Sequence, residues 1–255
     1  MKYDIKLKSE SEIKTLRESG KRLAKVLKAV AKEVRPGVTT KYLNDFVHKM
    51  IVDMGDTPAF LNYKPFGASY PYPGSICISV NDEVVHGIGS NRILKEGDIV
   101  GLDGGVNHKG MISDAAITVP AGKITKEEEE LLKVTKNALL AGIKAAKNGN
   151  YVNDISKAIE KSIPKKYGVV KILSGHGVGY KVHEEPFVPN FDDGVKGPKL
   201  VSGLVLALEP MVNLGTDEVY LDDDGYTFKT SDHKKSAHFE HTILITDGNA
   251  EIITV

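Results

Sequence analysis

Two aspartates eleven residues apart, Asp103 and Asp114, sit inside apolar, β-branched runs that flank the polar break Asn107-His108-Lys109-Gly110. The pattern reads as a β-hairpin. Folded about His108–Lys109, it sets Asp103 opposite Asp114 on one sheet face, with Cβ atoms roughly 4.5–5.5 Å apart. Carboxylates so placed repel each other and are costly to strip of water, so something positive must sit between them. A divalent metal pair meets that need. A dyad sharing a proton or paired with arginine meets it too, and the hairpin alone leaves both open. Glu209 in the apolar run 204–213 and Glu240 in the run 237–246 repeat the problem, with no lysine or arginine in their own segments. With His176 held between two glycines, the four acids make an oxygen-rich donor set with one imidazole. Mn²⁺, Fe²⁺, Co²⁺ or Zn²⁺ suits that set, and a thiolate site is excluded. Two such ions, roughly 3.5–4 Å apart, would bridge through carboxylates and hold a shared hydroxide at neutral pH.

The elements that must position these residues can be read from spacing. Residues 11–34 carry Ile13, Leu16, Leu23, Leu27, Val30 and Val34 at helical intervals, and Pro36-Gly37 stops that helix. Thr39 or Thr40 caps a second helix with Leu43, Phe46, Val47, Met50 and Met54 on its buried stripe. Residues 56–74 are irregular, with prolines holding Tyr63, Phe66, Tyr70 and Tyr72, either over an apolar pocket or as a plain covering loop. Residues 75–81 alternate like a half-buried strand, and Val84-Val85-His86 is a short β run ending on a histidine. Thr125 and Glu128 form a capping box for a third helix, and a fourth runs from Asn153 to Ile163 before Pro164. The order of helix, Gly, helix repeats with an offset of about 112 residues, Gly37 to Gly149, suggesting an internal duplication. A strand is expected over 169–173. Glycines 175, 177 and 179 do not have dinucleotide-loop spacing, and no helix follows them. Asp222-Asp223-Asp224-Gly225 reads as a hairpin turn rather than a calcium loop.

Composition narrows the partners. The chain has 255 residues, 41 % of them apolar, and 34 basic residues balance 34 acidic ones. Zero net charge removes the electrostatic case for nucleic acid as a partner. The basic run of the first helix reads as a solvated face. Cys77 is the lone cysteine, so no internal disulfide forms and a reducing compartment is expected. No signal-peptide run opens the chain, and no stretch of about 18 apolar residues would span a membrane. A cytoplasmic monomer is expected.

The ordered series Val85-His86-Gly87, Asp103, Asp114, Gly175-His176-Gly177, His183-Glu184-Glu185-Pro186, Glu209-Pro210-Met211 and Glu240-His241-Thr242 resembles the type I methionine aminopeptidases from about residue 8 onward. The resemblance implies an α+β pita-bread (creatinase/aminopeptidase) fold. Two pseudo-two-fold halves, about 10–120 and 121–255, would form a single catalytic domain over 1–255, with antiparallel sheet and helices packed outside. It implies Asp103 as a ligand of one metal, His176 of the other, and Asp114 and Glu240 as bridging carboxylates. Glu209 would bind metal and take the proton of the attacking water. His183 would hydrogen-bond the scissile carbonyl or the tetrahedral intermediate, and His86 would contact the amide nitrogen. Tyr72, Cys77 and Tyr226 fall at methionine-pocket positions. Phe66 and Val182 depart from the residues usual there. Asn81 and Ser236 resemble positions near a monovalent cation.

The implied activity is removal of the N-terminal methionine from nascent proteins, favouring a small second residue, by a hydroxide bridging two metals (Co, Mn, Fe or Zn). A metal-bound α-amine would confine cleavage to the first residue. The substrate is the N-terminal peptide of a nascent protein, with transient contact to the ribosome. Proline-specific peptidases share the fold but usually carry a large N-terminal domain, whereas about ten residues precede the first helix here. That short start also argues against a zinc-finger extension. A non-catalytic binding protein on the same scaffold would have lost ligands, and all five are present. His48, His108 and His233 read as structural, while His238 and His241 flank Glu240 closely enough to support the ligands.

Overall fold

The computed structural model describes residues 3–65 and 67–255, so the expected pocket residue Phe66 lies outside the described residues. Helix α1 (Glu10–Glu33) starts at a capping box: the Ser9 hydroxyl accepts the Glu12 N–H, and the Glu12 carboxylate accepts the Ser9 N–H. Its stripe Ile13, Leu16, Leu23, Leu27 and Val30 is buried. Gly20 sits mid-helix because a Cβ there would lie 2.3 Å from the Ile253 carbonyl oxygen, where the C-terminal segment crosses. Helix α2 (Thr40–Asp53) is capped by the Thr39 hydroxyl. Next come β1 (Thr57–Pro58), β2 (Cys77–Val80), β3 (Glu83–Val85) and the hairpin of β4 (Asp98–His108) and β5 (Met111–Ala121).

Helix α3 (Lys126–Ala145) uses the expected Thr125–Glu128 capping box, and α4 (Val152–Ser162) ends before Pro164. The described residues then form β6 (Gly168–Val169), β7 (Ser174–Gly177), β8 (Glu184–Pro189), β9 (Val205–Leu208) and β10 (Met211–Asn213). They close with β11 (Val219–Leu221), β12 (Phe228–Thr230), β13 (Ser236–His238), β14 (His241–Leu244) and β15 (Glu251–Ile252).

The described strands pair antiparallel. Strand β4 carries β5 on one edge and β1 with β2 on the other, while β15, β14, β9, β7 and β8 form a five-stranded sheet in that order. Two further three-stranded sheets run β13-β10-β6 and β11-β12-β3. Helices α1 and α2 bury Leu23 and Leu43 against Ile78 and Leu102, and α3 and α4 bury Leu131 and Ile155 against Leu206 and Ile243. A third apolar cluster draws on both halves and includes Tyr72, Cys77, Val182 and Tyr226. Among the described residues no helix is long and apolar enough to cross a membrane.

Three expectations are corrected. The hairpin turns at Lys109 (φ 50°) and Gly110 (φ 86°), not at His108–Lys109. A two-residue turn with positive φ at both centres favours glycine second, which moves the register. Asp103 therefore faces Ala116 and Asp114 faces Gly105, so the aspartates are diagonal neighbours on one face rather than directly opposed. The runs 204–213 and 237–246 are not continuous strands. Each breaks at its acid: Glu209-Pro210 separates β9 from β10, and Phe239-Glu240 separates β13 from β14. The strand expected over 169–173 shrinks to β6, and the next strand is the glycine-rich Ser174–Gly177 itself, where glycine lets backbones close up.

The two halves repeat one another in their hydrogen bonds. The Gly37 N–H donates to the Leu94 carbonyl at 2.8 Å and the Gly149 N–H to that of Leu200 at 2.9 Å. Leu94 and Leu200 return N–H bonds to Val38 (2.8 Å) and Asn150 (2.7 Å). At the junction the repetition becomes reciprocal: Glu240 N–H donates to the Ala116 carbonyl at 2.9 Å, and Ala116 N–H to that of Glu240 at 3.4 Å. The Thr242 hydroxyl accepts the Asp114 N–H (2.9 Å) and donates to the Asp114 carbonyl (2.7 Å), while Thr118 does the same for His238 at 2.9 and 2.7 Å. These are the contacts of a pseudo-two-fold axis.

Thr242 is fully buried, so Thr242→Val would leave the N–H and carbonyl of Asp114 without partners at the junction. The expected loss is about 1–3 kcal/mol of unfolding free energy. Thr118→Val should cost a similar amount, read by urea denaturation of both variants beside the parent.

Candidate metal centre

The ten residues singled out from sequence as catalytic, pocket or metal-ligating converge on one cavity. Asp103, Asp114, His176, Glu209 and Glu240 line it with His86, His183, Tyr72, Cys77 and Tyr226, alongside Phe60, Tyr63, Pro65 and Val182. Register explains the convergence. Cys77 pairs with Asp103 across β2 and β4, Ala116 completes the row, and Asp114 lies two residues along the same face. In the other half, His176 pairs with Ala207, and Glu209 follows two residues on, just past the end of β9. Each half thus supplies a diagonal pair of donors. Asp114, His176 and Glu240 each present a ligand atom within 4.8 Å of the others.

Burial dominates the electrostatics. It pushes the carboxyls of Asp103, Asp114, Glu209 and Glu240 well above the ordinary range, and neighbouring acids add to the push on Asp103, Asp114 and Glu240. It lowers His86 and His176 to about 4 and His183 to about 3, so these rings are neutral at physiological pH. The Cys77 thiol is raised by burial and then by Asp103, which makes it an apolar wall rather than a nucleophile.

Hydrogen bonds fix the rings. His176 Nδ1 lies 2.9 Å from the Gly177 carbonyl, so Nδ1 carries the proton and Nε2 presents a bare lone pair. That lone pair is 3.2 Å from Glu209 Oε1, another acceptor. Two acceptors at that distance require a proton or a cation between them. Asp103 Oδ1, Asp114 Oδ1 and Glu240 Oε1 are likewise buried without any hydrogen-bond partner. Buried carboxylate oxygens left unsatisfied beside a free imidazole nitrogen are the donor set a hard or borderline divalent cation takes. The residues fit the ion.

The remaining residues sort by their partners. His183 Nδ1 is 3.0 Å from the Tyr63 hydroxyl, and its ring meets that of His176 edge-on at 4.5 Å. His86 holds a left-handed backbone (φ 61°) with its ring 6.0 Å from that of Phe228. Tyr72 donates to the Gly87 carbonyl at 2.8 Å, Tyr226 donates to the Tyr70 carbonyl, and the two rings stack edge-on. His238 Nε2 is buried, has no hydrogen bond and lies 3.7 Å from Glu209 Oε2, whereas His241 turns away to the Thr254 hydroxyl. His108 is held by Asp56 and His48 by Ser75, both away from the cavity, and His233 is exposed. Asn81 and Ser236 are joined by the Ser236 N–H on the Asn81 carbonyl at 2.9 Å. Sequence reasoning gave Tyr63 no role of its own; its only signal was the aromatic, proline-rich loop around it.

Comparison with known proteins agrees with this geometry. Residues 14–247 match the model of metallopeptidase family M24. A methionine aminopeptidase of Aquifex aeolicus is 47 % identical over 98 % of this chain and 98 % of its own. The crystal structure of the Rickettsia prowazekii methionine aminopeptidase superposes with a TM-score of 0.94 at 36 % identity, covering 98 % of this chain and all of the other. A prolidase of Pyrococcus furiosus, 21 % identical and 65 % covered, matches 98 % of this chain with a TM-score of 0.75, a likeness of fold alone. The shared fold is the pita-bread arrangement of antiparallel sheets, outer helices and pseudo-two-fold halves. Both the family and the buried Asp114–His176–Glu240 cluster make a divalent metal the group this cavity serves. The chain belongs to metallopeptidase family M24 and, within it, to the methionine aminopeptidases.

Proposed function

We propose that the protein is a metal-dependent aminopeptidase that removes the N-terminal methionine of nascent chains, favouring a small second residue. The observation that carries this is the set of orphaned carboxylate oxygens and the bare His176 Nε2 in a cavity walled by Tyr72, Cys77 and Tyr226. Residues 1–255 would act as a single catalytic domain, with halves 10–120 and 121–255 meeting at the site. Asp103, Asp114, His176, Glu209 and Glu240 would hold two divalent ions, drawn from Co, Mn, Fe and Zn. Such ions supply Lewis acidity, polarising a carbonyl and making water acidic at neutral pH.

The chain's own groups do the rest. Glu209 takes one proton from the attacking water as its oxygen bonds to the scissile carbonyl carbon. It delivers that proton to the amide nitrogen as the C–N bond breaks, and the remaining water proton passes to the released amine, so methionine leaves as a carboxylate and the shortened chain with a protonated N-terminus. With Nδ1 on the Tyr63 hydroxyl, His183 has Nε2 free to donate to the carbonyl oxygen as charge develops there. His86 contacts the amide nitrogen. The apolar wall of Tyr72, Cys77 and Tyr226 receives the methionine side chain. Asn81 and Ser236 would flank a monovalent cation. Action in the cytoplasm, as a monomer in passing contact with ribosomes, completes the proposal.

The test is methionine release from Met-Gly-Met-Met and Met-Leu-Met-Met by metal-stripped protein re-supplied with each ion in turn. Release should be metal-dependent and favour the Gly peptide. Glu209→Gln should lose about 100-fold or more in kcat while remaining folded. Cleavage of X-Pro peptides alone would instead assign the proline-specific branch. Folded protein that binds two ions and releases nothing would be a binding scaffold.

Metal-free protein should also show an unusual pH profile. Its buried carboxyls keep protons that the unfolded chain has lost, so they make stability fall as pH rises above the ordinary carboxyl values. The buried histidines act in the opposite sense, but only between their lowered values of about 3 to 4 and their ordinary 6.5. Divalent ion takes the place of those carboxyl protons, so the thermal stabilisation given by saturating ion should grow as pH rises above the ordinary carboxyl values. A stabilisation by the ion that does not change with pH would contradict the assignment.

A further inference from the structure

His183 sits at the end of the segment 179–183, which lies in the link from β7 to β8 and has no regular secondary structure of its own. Gly179 donates to the Lys181 carbonyl at 3.2 Å and accepts the Ile112 N–H at 2.7 Å. Other ties come through the neighbour of His183. Glu184 Oε1 accepts the N–H groups of Tyr180 and Lys181 at 2.5 and 2.9 Å. Glu184 Oε2 receives Lys8 Nζ at 2.7 Å, in an ion pair whose side chains are 1 % and 9 % exposed. The Lys8 ammonium also donates to the Lys6 carbonyl and stands 4.8 Å from the centre of the Tyr180 ring. Its stem lies against Gly179, where a Cβ would come 2.5 Å from Lys8 Cε. Lys8 is itself anchored, its N–H on the Gly203 carbonyl at 3.1 Å, and the Tyr180 hydroxyl is held by Glu12 at 2.9 Å.

A lysine buried to this degree is costly to desolvate, and apolar residues of similar size would serve stability as well or better. Lysines that serve solubility lie open, as Lys14 and Lys21 do. What the pair provides is direction: it fixes the Glu184 carboxylate so that one oxygen grips the segment and the other grips the N-terminal strap. We infer that Lys8 is a positioning residue for His183, locking segment 179–183 through Glu184 so that the imidazole meets the scissile carbonyl. The inference rests on the role of His183 proposed above.

Lys8→Met keeps the stem and removes the charge, and Lys8→Arg keeps a cation. In metal-saturated protein, Lys8→Met should lose roughly 10- to 100-fold in kcat. KM and the calorimetric affinity for Mn²⁺ should stay unchanged, and Lys8→Arg should recover most of the rate. The Tyr180 and Lys181 amides should exchange hydrogen faster in Lys8→Met, with or without metal. Glu184→Gln should share this signature and stands in if Lys8→Met does not fold. Parental kcat in Lys8→Met, or a loss matched by weaker metal binding, would overturn the inference. Full activity in His183→Ala would overturn it through the role of His183, and amide exchange would still show separately whether Lys8 holds the segment.

Discussion

The protein concentrates four carboxylates in one buried cavity, with no lysine or arginine among the described residues lining it to balance them. Taking each such charge out of water costs several kcal/mol even after relaxation, and the surrounding backbone is arranged around that cost. Main-chain groups beside the acids are satisfied elsewhere: Asp114 by Thr242, Glu240 by Ala116, and the Glu209 carbonyl by the Asn190 amide. Carboxylate oxygens are left to face the cavity. Unsatisfied acceptors that would be defects in an ordinary core become, together, a cation site.

A symmetric scaffold here carries an unsymmetric site. Thr118 and Thr242 hold His238 and Asp114 through the same pair of bonds, yet one partner is a carboxylate lining the cavity and the other an imidazole behind Glu209. Ala116 and Glu240 exchange main-chain bonds as equals, though only one brings a carboxylate. The backbone plan is set twice over, which leaves side chains free to differ. A substrate with an amine at one end and a carbonyl at the other needs that difference.

Much of this was readable from residue order. The helices declared themselves through periodic stripes, the Thr125–Glu128 box and the Pro36-Gly37 and Pro164 stops, because these signals are local. The four cavity acids declared themselves because a lone acid in an apolar run asks for an explanation. Register was misread by one turn position, since choosing between His108–Lys109 and Lys109–Gly110 depends on which residues tolerate positive φ. The breaks at Glu209-Pro210 and Phe239-Glu240 were hidden, because apolar residues on both sides look the same whether a strand continues or passes to another sheet. Lys8 had no legible pattern, and the aromatic loop and the His183-Glu184-Glu185-Pro186 motif contained Tyr63 and Glu184 without revealing what they hold. Their partners lie more than a hundred residues away, and composition carries no trace of such pairings.

The bond between Thr242 and Asp114 spans 128 positions, and the Arg17–Glu251 clasp spans 234. Ribosomes deliver chains from the N-terminus, and domains form in that order. Asp103 and Asp114 thus emerge long before the segment that completes their surroundings. Until Glu240 and Thr242 follow, the hairpin has neither its full donor set nor the hydroxyl that holds it. Assembly of the centre is among the last events in the maturation of the chain, and a product cut short before its final strands would have a hairpin of aspartates but no enzyme.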